Sequence, residues 1–544
     1  MPEKAEDHAL FPVPLLLVAG ATFAVILPFF VFGNPSGHDF EFHMHSWMEV
    51  LGQWHQGIVY PRWAALAQYG YGEARFIFYP PASWVLGAAL GAVLPWKAVP
   101  GAYVWVALTF SGCSMFLLGR RWLKRRDAIF AAVLYAVNPY YILVVYWRSA
   151  FAELLAGALL PLLLLWVLRL DEEGWDAVVP LAMVMAGAWL TNAPAAVMLN
   201  YSLLVLSSVL AVSRRSPRVI AYAACAALIG AALAAFYILP ASYEQRWVNI
   251  GQVLSPGVRP QDNFLFTTID DPDHTRFNLL VSFLALAEIA VLALTSLWAR
   301  KQMQPQSLLW RMILCWSLPV ILLMFAPSLI AWEYLPWLRF LQLPWRWLLC
   351  LNLCLTVFLA VAWQRWFWRA AAYVFIVAVL LYGSRRTQTP WWDDASGVAD
   401  LVEQHRAGMG YEGTDEYVPA GADSYDVSRD APLVAAERGA ARVQVQTWDP
   451  EFKAFTVIAQ ESQNLALRLF NYPAWEVRVN GREVETRSQE DTGQMIIPVA
   501  AGKTQVRITL ERTWDRRAGG WISGVTLVGI AGLALSRRTR AARS

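Results

Sequence analysis

PPASWVLGAALGAVLPW, residues 80–96, decides how this chain is threaded through a membrane. The stretch is apolar, but after Pro80 and Pro81 it holds only 14 residues up to and including Pro95, 82–95, about 21 Å of helix against a hydrocarbon core of about 30 Å. If it crossed, every later loop would change sides. The remainder of the chain is built for a bilayer: of 544 residues, 57% are hydrophobic and 16% charged, and 28 are tryptophan, the composition of a polytopic membrane protein. Apolar runs of spanning length lie near 10–32, 99–119, 128–146, 150–168, 175–191, 194–212, 219–240, 277–299, 309–330, 346–363, 368–383 and 520–536.

Arginine and lysine collect in short cytoplasmic loops, and they resolve the ambiguity. With 82–95 not crossing, Arg120, Arg121, Lys124, Arg125 and Arg126 share the cytoplasmic side with Arg214, Arg215 and Arg218. Arg300, Lys301, Arg365, Arg369 and the tail Arg537, Arg538, Arg540 and Arg543 join them. The short stretch therefore reads as an interfacial or re-entrant helix on the outer face, leaving about twelve crossings with both termini inside. Residues 1–383 form the membrane domain, with external loop 33–98; 384–519 form an external domain; 520–544 supply a last crossing and a basic cytoplasmic tail.

Composition also excludes. Net charge is +3, and no basic run is interleaved with stacking aromatics away from the membrane edges, so no nucleic-acid surface is indicated. Cys113, Cys225, Cys315, Cys350 and Cys354 all lie in apolar segments, which offers neither a disulfide framework nor a thiolate metal site. Run 10–32 lacks a following small-x-small cleavage site and reads as a retained anchor.

Segment 384–519 opens with an irregular Gly-rich stretch. From about Ala441 it turns strand-like: ARVQVQTW, KAFTVIAQ, NLALRLF, WEVRVNG, MIIPVA and TQVRITLER are separated by turns such as Asn480-Gly481 and Ala501-Gly502, the pattern of a small β-sandwich. Trp448, Tyr472 and Trp475 are either its core or a carbohydrate- or acceptor-recognition surface.

The first external loop carries the densest chemistry. NPSGHDFEFHMHSW, residues 34–47, holds His38, Asp39, Glu41, His43 and His45. From Asp39 to Ile58, Phe40, Met44, Trp47, Leu51, Trp54 and Ile58 make one helical face. Glu41, His45, Glu49, Gln53 and Gln56 make the other, turned toward an external cavity or water. Asp39 begins this helix, where it is either an N-cap, the fourth residue of a Ser36-x-x-Asp39 capping box, or part of an ionisable cluster at a membrane mouth. The histidines do not fall at i, i+4, so a zinc site is poorly supported; His38, His43 and Asp39 are the candidate ligands for a shared divalent cation, Mg2+ or Mn2+.

With the retained first helix, the acidic residue beyond it and the amphipathic external helix, the chain resembles the GT-C-fold glycosyltransferases. More narrowly, YPRW (60–63), GYGEARFIFYPP (70–81), YWRSAFAE (146–153), FLQLPWRWL (340–348) and FNYPAWEVRVNG (470–481) resemble bacterial YfhO-like membrane proteins, including those labelled 6-pyruvoyl-tetrahydropterin synthase-related, a label without implication of pterin chemistry here. The resemblance implies an enzyme of the bacterial inner membrane with its site facing the periplasm. It would move a sugar from a polyprenyl-phosphate carrier to a glycan, lipid or protein acceptor, with inversion. By position, Asp39 is then the base or metal ligand, with Glu41 and Glu153 as further catalytic carboxylates. A lipid-phosphate leaving group needs fixed cations, which arginine supplies bidentately. Arg148, Arg346, Arg246 and Arg276, with Arg339, are the candidates at outer helix ends, each of which also fits an interfacial snorkelling side chain. Asp270–His274 is a further acidic loop. A lipid-linked glycan transporter and a non-catalytic assembly subunit are the rival readings. Against transport, helix interiors are nearly free of charge and the ionisable groups gather on one face.

Overall fold

A computed structural model describes residues 12–387 and 392–541. The acidic flank Glu3, Glu6 and Asp7, the start of the first apolar run and Arg543 lie outside the described residues.

Among the described residues, eight helices are long and apolar enough to cross a bilayer, from Pro12–Phe32 to Trp366–Arg385. Two bent pairs raise this to ten: Arg218–Leu233 with Ala235–Trp247, at 76°, and Ser307–Leu323 with Ala326–Tyr334, at 93°. This corrects the twelve crossings expected from the sequence. A proline cannot donate to the carbonyl four residues back and its ring collides with it. Pro327 places that collision at Leu323, the last residue before the 93° bend, whereas Pro240 lies inside the continuous helix Ala235–Glu244 beyond the 76° bend; both runs look continuous in sequence and are bent in space. Of the other two expected crossings, Trp175–Thr191 is a helix of 17 residues, roughly 26 Å, and 520–536 lies within the helix Trp514–Ala541, which is not among the eight.

The deciding stretch forms an 11-residue helix, Pro81–Gly91, too short to cross. It packs on the helix Phe40–His55, and Gly87 makes the approach possible: a Cβ there would lie 2.2 Å from the Trp47 ring. The apolar face of Phe40–His55 is buried as expected at Phe40, Met44 and Trp47. On its polar face Glu41 and Gln56 are exposed, but His45, Glu49 and Gln53 are buried, where water or an open cavity was expected. The carboxylate of Glu49 accepts from the backbone N–H groups of Ala65 (2.8 Å) and Leu66 (2.9 Å) and from the Tyr411 hydroxyl (2.9 Å). His45 stacks on Tyr411, centroids 3.9 Å apart, with its Nδ1 2.9 Å from His405 Nε2. The covering strap is the helix Ala395–Arg406 and the Gly-rich stretch after it. That stretch fits because glycine leaves room: a Cβ on Gly410 would lie 2.3 Å from the Tyr69 carbonyl carbon.

Beyond the strap, β structure begins at Val434 and forms a four-stranded and a five-stranded antiparallel sheet. Leu465, Leu467, Met495 and Ile497 of one sheet share a core with Phe455, Val457, Val477 and Ile508 of the other. Asn480 and Gly481, both at positive φ, make the two-residue hairpin between Trp475–Val479 and Arg482–Glu483, the turn that Asn-Gly favours.

A fully buried ion pair fastens this domain to the membrane helices. Arg516, at the start of the last helix, donates from Nε and Nη2 to the two oxygens of Glu244, at 2.7 Å each, and the Tyr472 hydroxyl donates to Glu244 Oε2 at 2.5 Å. Removing one partner of such a pair strands a buried charge. Arg516→Met is expected to cost about 3–5 kcal/mol, read as a lower thermal unfolding midpoint in detergent, and the double substitution Arg516→Met/Glu244→Leu is expected to recover much of that loss.

Candidate functional site

The site forms where a span is interrupted. After Arg125–Ala136, Asn138 caps a short turn by accepting the Tyr141 N–H at 2.9 Å, and Pro139 starts Pro139–Leu143. The chain then widens into a π-helical turn, Val144–Arg148, and reverses through Ser149 at φ +50°, ψ +35°, before resuming as Phe151–Gly157. Wide turns and left-handed non-glycine residues persist where the surroundings enforce them, often at functional sites.

Here the enforcing group is the loop before Phe40. The Gly37 N–H donates to Ser149 Oγ (3.0 Å), and that hydroxyl donates to the Pro35 carbonyl (2.7 Å). A Cβ on Gly37 would lie 2.4 Å from the Trp147 carbonyl oxygen, so glycine is needed for the approach. The Asp39 N–H then donates to the Arg148 carbonyl at 2.9 Å. Asp39 occupies the N-cap position, yet its side chain makes no capping bond. Its carboxylate, 39% exposed, stands 3.7 Å from Arg148 Nη2.

Arg148 is buried and donates from Nη1 to Glu153 Oε2 at 2.6 Å. Arg346 reaches the same oxygen from the turn Pro344–Trp347, through Nε at 3.2 Å, and its Nη1 is held by the Leu341 carbonyl (2.5 Å) and Gln342 Oε1 (3.1 Å). Gln342 and Trp337, at φ +64° and +58°, set the bends of that turn. The other Glu153 oxygen accepts from the Tyr140 hydroxyl at 2.5 Å. Trp345 lies beneath Arg148, 5.1 Å from guanidinium carbon to ring centre. Phe277 continues the wall, with ring centres 5.6 Å from Trp345 and 6.1 Å from His38. Two guanidiniums thus share one buried carboxylate, and a second, accessible carboxylate faces them.

The structure therefore brings Asp39, Arg148, Glu153 and Arg346 together. Glu41 is exposed and lies toward Asp393, whose carboxyl is raised to about 6 by burial and then by Glu41. Arg246 is exposed and stacks on Tyr243 at 3.9 Å; Arg276 and Arg339 are exposed as well. His43 is buried beside Phe151, its Nε2 3.5 Å from the Tyr79 hydroxyl, and burial holds its imidazole down to about 4. Among the described residues no three His, Cys, Asp or Glu side chains are grouped to hold a metal. The charged neighbour of Asp39 is the Arg148 guanidinium. In the acidic loop, Asp271 caps the helix Pro272–Gln302, accepting from the N–H groups of Asp273 (2.9 Å) and His274 (3.1 Å). Tyr472 and Trp475 are buried against Trp63. Tyr140, Gln342, Trp345 and the Ser149–Gly37 contact had no mark in the sequence beyond apolar or turn-forming surroundings.

Fold and site together define a polytopic helical membrane protein with a C-terminal β domain and a charged cluster at its helix ends. The chain belongs to the family described as 6-pyruvoyl-tetrahydropterin synthase related domain, membrane protein, whose model matches residues 76–390. No curated protein matches the chain. Solved structures similar to it include ArnT from Cupriavidus metallidurans bound to undecaprenyl phosphate, at 13% identity over 67% of this chain and 63% of that chain, TM-score 0.39. The archaeal oligosaccharyltransferase AglB from Archaeoglobus fulgidus, in complex with an inhibitory peptide and a dolichol-phosphate, matches at 13% identity over 74% and 57%, TM-score 0.42. The mycobacterial arabinofuranosyltransferase AftD matches at 16% identity over 71% and 27%, TM-score 0.37. The chain covers less than two thirds of each of these proteins, and nothing about its activity follows from them.

Three histidines at the helix Phe40–His55 and its strap generate a pH prediction. Burial holds His43 and His405 down to about 4 and His45 to about 2, against an unfolded value of about 6.5. Between those values the unfolded chain binds more protons, so their contribution to stability is full above about 6.5 and is lost as pH falls toward 4. The thermal midpoint is expected to drop between pH 7 and pH 5, and His45→Phe/His405→Phe to flatten that drop.

Proposed function

We propose that this protein is a membrane glycosyltransferase that moves a sugar from a polyprenyl-phosphate carrier to a glycan, lipid or protein acceptor on the outer face of a bacterial inner membrane, with inversion. The observation that carries the reading is the uncapped Asp39 carboxylate, 3.7 Å from Arg148, which is fixed with Arg346 on Glu153.

An acceptor hydroxyl is a weak nucleophile. Asp39 takes its proton as the oxygen attacks C1 of the sugar. The bond from C1 to the carrier phosphate breaks on the opposite face, its electron pair leaves with the phosphate, and the anomeric centre inverts. Arg148 and Arg346 meet the charge that grows on the phosphate oxygens, already oriented and largely desolvated. Both oxygens of Glu153 are engaged, so it serves as a positioning residue that holds the two guanidiniums. Asp39 is the ligand through which a divalent cation would join the donor phosphate, and no step runs through one.

A second reading, transport of a lipid-linked glycan, draws on one observation. Glu288, inside the span Pro272–Gln302, is buried and accepts from Asn352 Nδ2 at 3.0 Å, a polar pair of the kind that marks transport paths.

Purified protein given polyprenyl-phosphate sugar and acceptor separates the readings. An enzyme consumes the donor; a transporter moves it across proteoliposomes intact; an assembly subunit does neither. Asp39→Asn is expected to cut transfer by about 10²-fold or more with an unchanged unfolding midpoint, and full activity in that variant would remove Asp39 as base. For sidedness, in a background free of native cysteines, a cysteine at Val93 (76% exposed) is expected to react with an impermeant maleimide from the periplasm, and one at the exposed Arg120 only after permeabilisation. The reverse pattern would place Asp39 in the cytosol and end the proposal.

A further inference from the structure

At the opposite ends of the helices from Asp39, a recess of about 330 Å³ opens between Trp122, the end of Leu159–Glu173, the end of Ala193–Arg214 and the start of Ser307–Leu323. The transfer chemistry above does not use it. Its polar lining includes Arg214, Arg311, Ser213 and Glu172, and its apolar lining includes Leu168 and Leu309.

The charges around it do not cancel. Glu172 is held by Arg121 at 3.1 Å, and Arg214 by Asp171 at 3.0 Å. Arg311 makes no ion pair among the described residues, and its Nε has only a 3.4 Å bond to the Ser307 carbonyl. Three guanidiniums against two carboxylates leave one positive charge, carried by an exposed side chain with most of its donors unspent. A guanidinium fork matches phosphate oxygens, and basic pockets between helix ends at the cytoplasmic face suit lipid headgroups. Trp122, half-buried at the rim, belongs to the residue type that settles at headgroup depth.

We infer that this recess binds the phosphate of an anionic phospholipid headgroup, with Arg311 as the charged contact and the leucines beside the first carbons of the acyl chains. The shared chemistry is one phosphate anion, and a bilayer supplies it at far higher local concentration than solution does.

The test uses the full-length protein in neutral detergent, reading the thermal unfolding midpoint against added phosphatidylglycerol, phosphatidylcholine or inorganic phosphate. Phosphatidylglycerol is expected to raise the midpoint. Arg311→Gln is expected to need roughly tenfold more lipid for the same rise, and Lys301→Gln, an exposed charge that does not line the recess, to respond as the parent does. Phosphatidylcholine and inorganic phosphate are expected to do little. Equal responses of Arg311→Gln and Lys301→Gln would show general surface charge and overturn the site. A rise with inorganic phosphate that Arg311→Gln removes would overturn the lipid as ligand. Stabilisation by none of the three would overturn both.

Discussion

A single carboxylate organises the charged end of this membrane domain. Glu153 sits just past an interrupted helix, and its two oxygens take hydrogens from Arg148, Arg346 and Tyr140. Those donors come from segments nearly two hundred residues apart, so the contact fixes which helix ends meet as well as which charges face outward. Two buried guanidiniums without it would repel each other at close range, and one buried carboxylate without them would be too costly to keep ionised. Together they are satisfied, with Arg148 left near enough to Asp39 to orient whatever approaches that carboxylate.

The same economy recurs away from the site. The buried ionisable groups on the polar face of Phe40–His55 are tolerable inside the protein because each has a specific partner: backbone amides and Tyr411 for Glu49, and His405 for His45. Arg75 is held by Glu73 at 2.6 Å and by Ser46 Oγ at 3.0 Å, and Glu73 in turn accepts the Thr414 N–H at 2.9 Å. These bonds tie the first external loop to the strap, while Glu244 and Arg516 tie the β domain to the helices below. Asp39 therefore rides on a helix clamped from both sides.

Much of this was legible in the sequence, and the misreadings have physical causes. The length of 82–95 marked a short helix between spans, and Arg148, Arg346 and Glu153 were among the candidates named from the sequence. Crossings were over-counted because hydropathy sees neither a bend within an apolar run, as in the two bent pairs, nor a helix that stops short, as Trp175–Thr191 does at 17 residues. The amphipathic helix is present over Phe40–His55, but the cover on His45 and Glu49 went unread because the strap lies more than three hundred residues away and reads as an irregular loop. Tyr140 was invisible, since a tyrosine in an apolar run looks like core until its hydroxyl is seen against a carboxylate. Asp39 was readable as a cap or as part of an ionisable cluster, and its side chain makes no capping bond. The direction of a side chain is not encoded locally in sequence.

The strap also has a consequence for biogenesis. Translation delivers Glu49, His45 and Arg75 long before Tyr411, His405 and Thr414 leave the ribosome, and N-terminal segments fold first as they emerge. Until the strap arrives, the helix that carries Asp39 lies at the membrane surface with ionisable groups lacking their final partners. A nascent chain released just before residue 395 would hold the eight spans found among the described residues and none of this cover. Cover for the helix that carries Asp39 is thus timed by the synthesis of a segment far along the chain.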